Sequence, residues 1–212
     1  MGILSNWKAA HEFPLNGVQQ TLRTKAKMYS GSIVTQRQKR TASILYKLKN
    51  LTGNLREMQD LCACRAIMNS TEEVNLLVDD MVEGRFRSTL RRKNDYISKP
   101  RKSGYRGVHL IFEFHGYETS GDWDGYLIEV QIRTKLQHYW ATSVETVDLF
   151  TRQRLKQGAG DKIWERFFLL CSQVMALIEG TEDAPGIPQS SVDLRTELSR
   201  LNDELNALEM LE

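Results

Sequence analysis

Two runs of alternating residues constrain this chain most: "YRGVHLIFEF" (residues 105–114) and "YLIEVQIRT" (residues 126–134), separated by the turn-forming "ETSGDWDG". Period-two alternation bracketed by Gly and Asp predicts a β-hairpin over residues 105–134. On its second strand Ile128, Val130 and Ile132 fall on one face, and Glu129, Gln131 and Arg133 on the other. A Glu–Gln–Arg row is costly to bury unless its members are paired. That face is therefore either a solvated exterior with cross-strand ion pairs or a place where chemistry is done.

The segments around the hairpin alternate in type, giving an α/β (α+β) chain. "DLCACRAIM" (residues 60–68) reads as a strand, and "NSTEEVNLLVDDMVEGRF" as a helix opened by Ser70 or Thr71 ahead of the glutamates. Residues 5–30 are expected to be helical with an interruption at Pro14. "SIVTQRQKRTASILYKLKN" (residues 32–50) is expected to be one helix, with Ile33, Val34, Ile44, Leu45 and Leu48 as contacts. Arg37, Lys39, Arg40, Lys47 and Lys49 would form its charged face. "KLQHYWATSVETVDLF" and "DKIWERFFLLCSQVMALIEG" are two further helices. Residues 1–180 are thus expected to form one domain with an N-terminal helical region. Residues 181–190, which carry two of the four prolines, form a linker, and residues 191–212 an acidic, leucine-rich helix. Leu194, Leu198, Leu201, Leu205 and Leu208 follow a heptad-like spacing, so this tail must dock on its own domain or on a partner.

With 212 residues, 41% hydrophobic and 26% charged, the chain is globular in composition and can bury a real core. No stretch approaches the 18 or so apolar residues of a membrane span, and the N-terminus lacks the features of a signal peptide. Cys62, Cys64 and Cys171 lack zinc-site spacing, and read as reduced thiols in a cytoplasmic protein. The net charge of +2 conceals a strong asymmetry: from Arg85 to Arg106 there are nine Lys or Arg residues and one acid, Asp95. Such a segment suits phosphates, whether of mobile nucleotides or of nucleic acid.

Asp60 at a strand entrance and Glu129 within a strand are candidates to hold Mg²⁺, an ion that prefers carboxylate and phosphate oxygens. One of them could also take a proton from an attacking hydroxyl. Arg37, Lys39, Arg101 and Lys102 can balance a polyphosphate. Tyr105, beside Gly104, is either a stacking platform for a base or a core aromatic, and His109 lies on the same strand face. No Walker loop or protein-kinase "HRD" is present, so any phosphoryl chemistry needs another framework.

Four ordered stretches, "QRQKRTASILYKL", "MQDLCACRAI", "DYISKPRKSGYRGVHL" and "IEVQIRTKLQHYWATSVE", resemble the synthetase domain of the RelA/SpoT family, over about residues 30–150. The resemblance implies a nucleotidyltransferase-like fold, a mixed sheet flanked by helices. It also implies transfer of pyrophosphate from ATP to the 3′-hydroxyl of GDP or GTP. By the same resemblance Arg37 and Lys39 would sit at the ATP side, with Lys47, Arg101 and Lys102 as further nucleotide-binding cations. Asp60 and Glu129 would hold Mg²⁺, and Glu129 would act as base. Arg65 would line the cleft, Tyr105 would stack on guanine with His109 near the acceptor's phosphates, and Gln131, Arg133 and His138 would support the cleft.

Two departures bear on the acceptor. Arg101 follows Pro100 where many members have lysine, and Asn94 precedes Asp95-Tyr96 where lysine is frequent. "QRQKR" and "QHYWAT" are similar to toxic small members of the family. Some of these make (p)ppGpp or adenosine analogues, and others modify the 3′ end of tRNA. Lys25, Lys27 and the cations of residues 85–93 are candidate contacts to an RNA backbone. An antitoxin protein and a homo-oligomer are further expected partners; a non-catalytic nucleotide- or RNA-binding regulator is the rival class.

Overall fold

The computed structural model describes residues 2–39, 41–52, 58, 61–84, 87–116, 122–151, 155, 160–187 and 191–209. The chain divides into two compact units. One comprises Met1–Asn94 with Val108–Thr134, and the other Asp95–Gly107 with Lys135–Glu212.

The first unit is built on strands β1 (Ile33–Gln38), β2 (Cys62–Met68), β3 (Thr89–Asp95), β4 (Val108–Glu113) and β5 (Leu127–Thr134). They form one mixed sheet in the order β1-β2-β5-β4-β3. β4 and β5 are the expected antiparallel pair, with Val108 opposite Ile132 and Glu113 opposite Leu127. β5 also pairs in parallel with β2, and β2 antiparallel with β1. The central strand β5 is therefore flanked on both sides, and Ile128, Val130 and Ile132 are fully buried. Helices α1 (Gly2–Ala10), α2 (Glu12–Ala26), α3 (Thr41–Lys47) and α4 (Thr71–Glu83) complete the unit, with a π-helical turn at Leu48–Thr52.

α2 covers the apolar sheet face. Gln36, which shares that face with Val34, donates to Asn16 Oδ1 at 2.6 Å, and a Cβ added at Gly17 would meet the Phe114 ring at 2.9 Å. α4 lies beside α2, tied to it by Lys25 Nζ on Asp80 Oδ1 at 2.6 Å. α4 begins as its sequence predicts: the Ser70 hydroxyl accepts from Glu73 N at 3.2 Å, and the Glu73 carboxylate accepts from Asn69 N at 2.8 Å.

Two expectations are corrected here. The helical region breaks at His11, not at Pro14, which lies within the first turn of α2, where a missing N–H costs nothing. Residues 32–50 are not one helix. Ile33–Gln38 is a strand, and the helix begins only at Thr41. Ile33, Val34 and Thr35 are β-branched and stiff in extended backbone, and six residue pairs with β2 outweigh the helical preference of the glutamines and cations.

The second unit holds the loop 95–107 and three helices, α5 (Lys135–Phe150), α6 (Lys162–Glu179) and α7 (Ser191–Glu209). Its core gathers Trp140, Ala141, Val144, Leu155 and Phe168, with Tyr105 and Trp164 packed against them. Trp140 Nε1 donates to the Phe168 carbonyl at 2.7 Å, so the indole's polar group is satisfied inside this cluster. α6 is capped by Asp161, whose carboxylate accepts from Ile163 N, and ends at Gly180 with φ 63°. α7 docks on α6: Leu194 and Leu201 are buried with Leu170, Leu198 packs beside them, and Arg166 grips Glu197 through two hydrogen bonds of 2.8 Å.

Cys62 and Cys64 are buried on β2, and Cys171 is half-buried on α6; none is in a disulfide. Burial pushes the Cys62 and Cys171 thiols up to about 11, and Cys64 higher still, which leaves them inert near neutral pH. Among the described residues, no helix is long and apolar enough to cross a membrane.

Candidate active site

The strand registers of the first unit align the polar residues into two levels. At one level Thr35, Arg65, Gln131 and His109 stand abreast on β1, β2, β5 and β4. At the next stand Arg37, Ala63, Glu129 and Ile111. Alternation puts all eight on the face opposite Ile128, Val130 and Ile132. Arg37, expected on a helix, is thus a strand residue level with Glu129, two strand spacings or about 10 Å away in backbone terms.

Two side chains hold the Glu129 carboxylate, and a third holds one of those two. Arg65 donates to Gln131 Oε1 from Nη2 at 3.0 Å and from Nε at 3.3 Å. Because arginine only donates, this contact fixes the amide with its NH₂ group forward. Gln131 Nε2 then donates to Glu129 Oε2 at 2.7 Å. His109 Nδ1 lies 2.9 Å from Glu129 Oε1 and donates to it. Glu129 is only 8% exposed, so an ionised carboxylate there depends on such donors. Ala63, the residue between Arg37 and Glu129 at this level, carries only a methyl group and is buried. Arg133, further along β5, is buried. Lys39 and Lys47 are half-buried, the Lys39 amide donating to the Leu61 carbonyl at 2.9 Å.

Asp60 lies outside the described residues, as does Arg85. Among the described residues no group of three or more His, Cys, Asp and Glu side chains is placed to hold a metal ion. The Glu129 carboxylate, held by Gln131 and His109, is an oxygen donor of the kind that Mg²⁺ prefers.

The second unit carries the loop that the sequence marks as phosphate-facing. The Asp95 carboxylate accepts from the amides of Ile97 at 2.9 Å and Ser98 at 3.0 Å, turning the chain. Tyr96 N donates to the Gly107 carbonyl at 3.0 Å and closes the loop at its base. Arg101 N to the Tyr105 carbonyl and Gly104 N to the Arg101 carbonyl cross it, at 3.2 and 2.8 Å. The Arg101 guanidinium stacks 4.2 Å above the Tyr96 ring, donates to a Tyr96 Oη at 2.6 Å, and lies 5.7 Å from the centroid of Tyr105. Tyr105 meets Tyr96 edge-on at 5.9 Å and Trp140 at 6.3 Å, so the residue is at once a core aromatic and a loop platform. Lys102 is exposed at the loop tip, and His138 on α5 is half-buried beside Tyr139.

Several of the cations read as phosphate-facing are engaged within the protein. Arg91 is bound to Glu113 at 2.6 Å, and that hydrogen bond holds the carboxyl below the usual range. Arg87 donates to the Gly116 carbonyl at 3.0 Å. Lys25 is the α2–α4 tie and only 16% exposed at its side chain. Arg106 is 2% exposed and donates to Ser172 and to the Glu182 carbonyl, and burial lowers its pKa. A run of basic residues on an edge strand and loop looks alike in sequence whether it faces a ligand or its own neighbours. The Arg65–Gln131 contact was hidden for a related reason, since it depends on a parallel pairing between distant segments.

The mixed sheet with its flanking helices, and a carboxylate held by Gln and His on one face, define an α/β protein with a polar cluster on one side of its sheet. A family model described as a region found in RelA / SpoT proteins matches residues 36–148, more than half of the chain, and the chain belongs to that family. It is 35% identical over 112 residues to the GTP pyrophosphokinase YjbM of Bacillus subtilis (strain 168), a match covering 51% of this chain and 52% of that one. The chain therefore aligns with about half the length of that curated relative. Among solved structures, a GTP pyrophosphokinase family protein from Streptococcus pneumoniae superposes with TM-score 0.71 at 20% identity, covering 100% of this chain and 99% of that one. Small alarmone synthetase 1 of Bacillus subtilis bound to its product pppGpp gives 0.69 at 22% identity, over 83% and 92%. At these identities the likeness is one of fold.

Proposed function

We propose that this chain is an ATP-dependent 3′-pyrophosphokinase that uses GDP or GTP as acceptor. The observation that carries the reading is the Glu129 carboxylate, fixed by Gln131 and His109 and level with Arg37, inside the segment that matches the family. The acceptor's 3′-oxygen attacks the β-phosphorus of ATP, the bond from that phosphorus to the α-phosphate oxygen breaks, and AMP leaves. The hydroxyl proton passes to Glu129, whose two held oxygens cannot swing away from an incoming donor. Arg37, Lys39 and Lys47 bind the donor's phosphates, and Arg65 keeps Gln131 in the orientation that supports Glu129. Tyr105 offers its ring to the acceptor's base, with Arg101 and Lys102 facing phosphate from the same loop. Glu129, with Asp60, would hold Mg²⁺, which when bound neutralises charge on the phosphates. Since the attacking hydroxyl is weak, alignment and charge supply most of the acceleration.

A tRNA acceptor draws on one specific observation, the exposed Arg92 and Lys93 on the edge strand β3. Those residues also suit an edge strand that must resist pairing with other chains. Label transfer from γ-³²P-ATP with Mg²⁺, offering GDP, GTP, ADP, ATP and total tRNA in parallel, separates the readings. Label on GDP or GTP is the expected result. Label on tRNA alone would replace it with translation inhibition, and no transfer to any acceptor would overturn the enzymatic reading.

A further inference from the structure

The loop 95–107 is joined to α6 by a buried polar clamp on both sides of Tyr105. Ser172 Oγ donates to the Gly104 carbonyl at 2.6 Å. It accepts in turn from Arg106 Nε at 2.9 Å. A single hydroxyl on α6 thus engages the residue before Tyr105 through its carbonyl and the residue after it through its side chain. Arg106 continues outward, Nη1 donating to the Glu182 carbonyl at 2.7 Å and to Thr181 Oγ1 at 3.4 Å. That segment is itself pinned, because Gln173 donates to Asp183 and accepts from Ala184 N at 2.6 Å. Ser172 is fully buried and Arg106 nearly so. Gly104 has φ +87°, and a Cβ there would come within 2.9 Å of the Ser172 Cβ, so the loop backbone lies directly on the helix.

Burial costs the Arg106 guanidinium its hydration, a cost offset by the bonds of Nε and Nη1 and by the nearby acids Glu179, Asp183 and Glu182, while its Nη2 has no partner among the described residues. Tyr105 needs no such arrangement merely to pack, since Trp140 and the α6 aromatics already supply an apolar seat. What the clamp adds is a fixed carbonyl before the ring and a fixed side chain after it, which together set the plane that ring presents. Resting on the functional reading above, we infer that Ser172 and Arg106 are positioning residues for acceptor recognition, acting through the backbone of Gly104 and the placement of Tyr105.

The test uses the full chain and compares wild type with Ser172→Ala and Arg106→Lys, measuring amide hydrogen exchange together with transfer kinetics on GDP. Expected are about tenfold faster exchange at the amides of Tyr96, Arg101 and Gly104, and a GDP KM raised about tenfold. The KM for ATP and the exchange of β5 should be unchanged, a split that general destabilisation would not produce. Arg106→Lys retains the charge and one donor and should give a smaller change in the same direction. It also serves as the reporter if Ser172→Ala folds poorly. Unchanged exchange in the loop, or loosened exchange with an unaltered GDP KM, overturns the clamp while leaving the functional reading intact. A wild-type chain inactive on every acceptor would instead overturn the functional reading itself.

Discussion

Glu129 Oε1 and His109 Nδ1 stand 2.9 Å apart across the β4–β5 ladder, although their backbones are not opposite one another. Glu129 faces Ile111 and His109 faces Gln131, so the contact is diagonal, within the reach of long side chains on one sheet face.

Glu129→Gln keeps the shape and one acceptor oxygen while removing the base. Transfer to GDP is expected to fall by about 10³-fold, within the range of general-base contributions, with a melting temperature close to wild type. A variant within threefold of wild-type turnover would remove Glu129 from the proton-transfer step.

His109→Leu removes the second donor and should slow transfer roughly 10- to 100-fold by releasing the carboxylate. Added to Glu129→Gln it should cost almost nothing more, because the two residues act as a unit. Additive losses measured across the four-member cycle would assign His109 a separate task.

Arg101→Lys retains charge and loses the planar stack on Tyr96. The expected outcome is a several-fold rise in nucleotide KM with little change in turnover. Steady-state kinetics on GDP, with ATP saturating, distinguish this from a residue whose only contribution is charge, for which lysine would suffice.

His11 is buried with its Nδ1 at 2.7 Å from the Trp7 carbonyl, and desolvation lowers its pKa from the ordinary histidine value. The unfolded chain then binds a proton more readily, so stability from the neutral ring is fully present above about pH 6.5 and is lost as pH falls toward the folded pKa. Melting temperatures should drop between pH 7.5 and pH 5.5, and His11→Gln should flatten that difference. Equal slopes in the two proteins would show that other groups set it.

Much of this fold was legible because its elements obey local rules: the β4–β5 alternation, the Ser70 cap and the apolar faces of α5 and α6 all follow from residues near in sequence. The polar face of β5 was legible too, since period two places Glu129, Gln131 and Arg133 together. What failed locally was decided at a distance. Residues 33–38 carry Arg37 and lead into Lys39 and Arg40, a pattern that also suits a helix, and only the ladder offered by β2 makes them a strand. Arg106 reads like its basic neighbours, yet its partner Ser172 comes from another helix, so no periodicity could separate a buried clamp from a phosphate contact.

The parallel pairing of β2 with β5 joins residues 66 positions apart, as at Arg65 and Gln131. During vectorial synthesis β1 and β2 emerge long before β5, and a closure of that length is slow to nucleate. The strand that completes the sheet is also the one that bears Glu129. The carboxylate cluster therefore forms only when the sheet's centre closes, because Arg65 comes from β2, and Gln131 and Glu129 from β5.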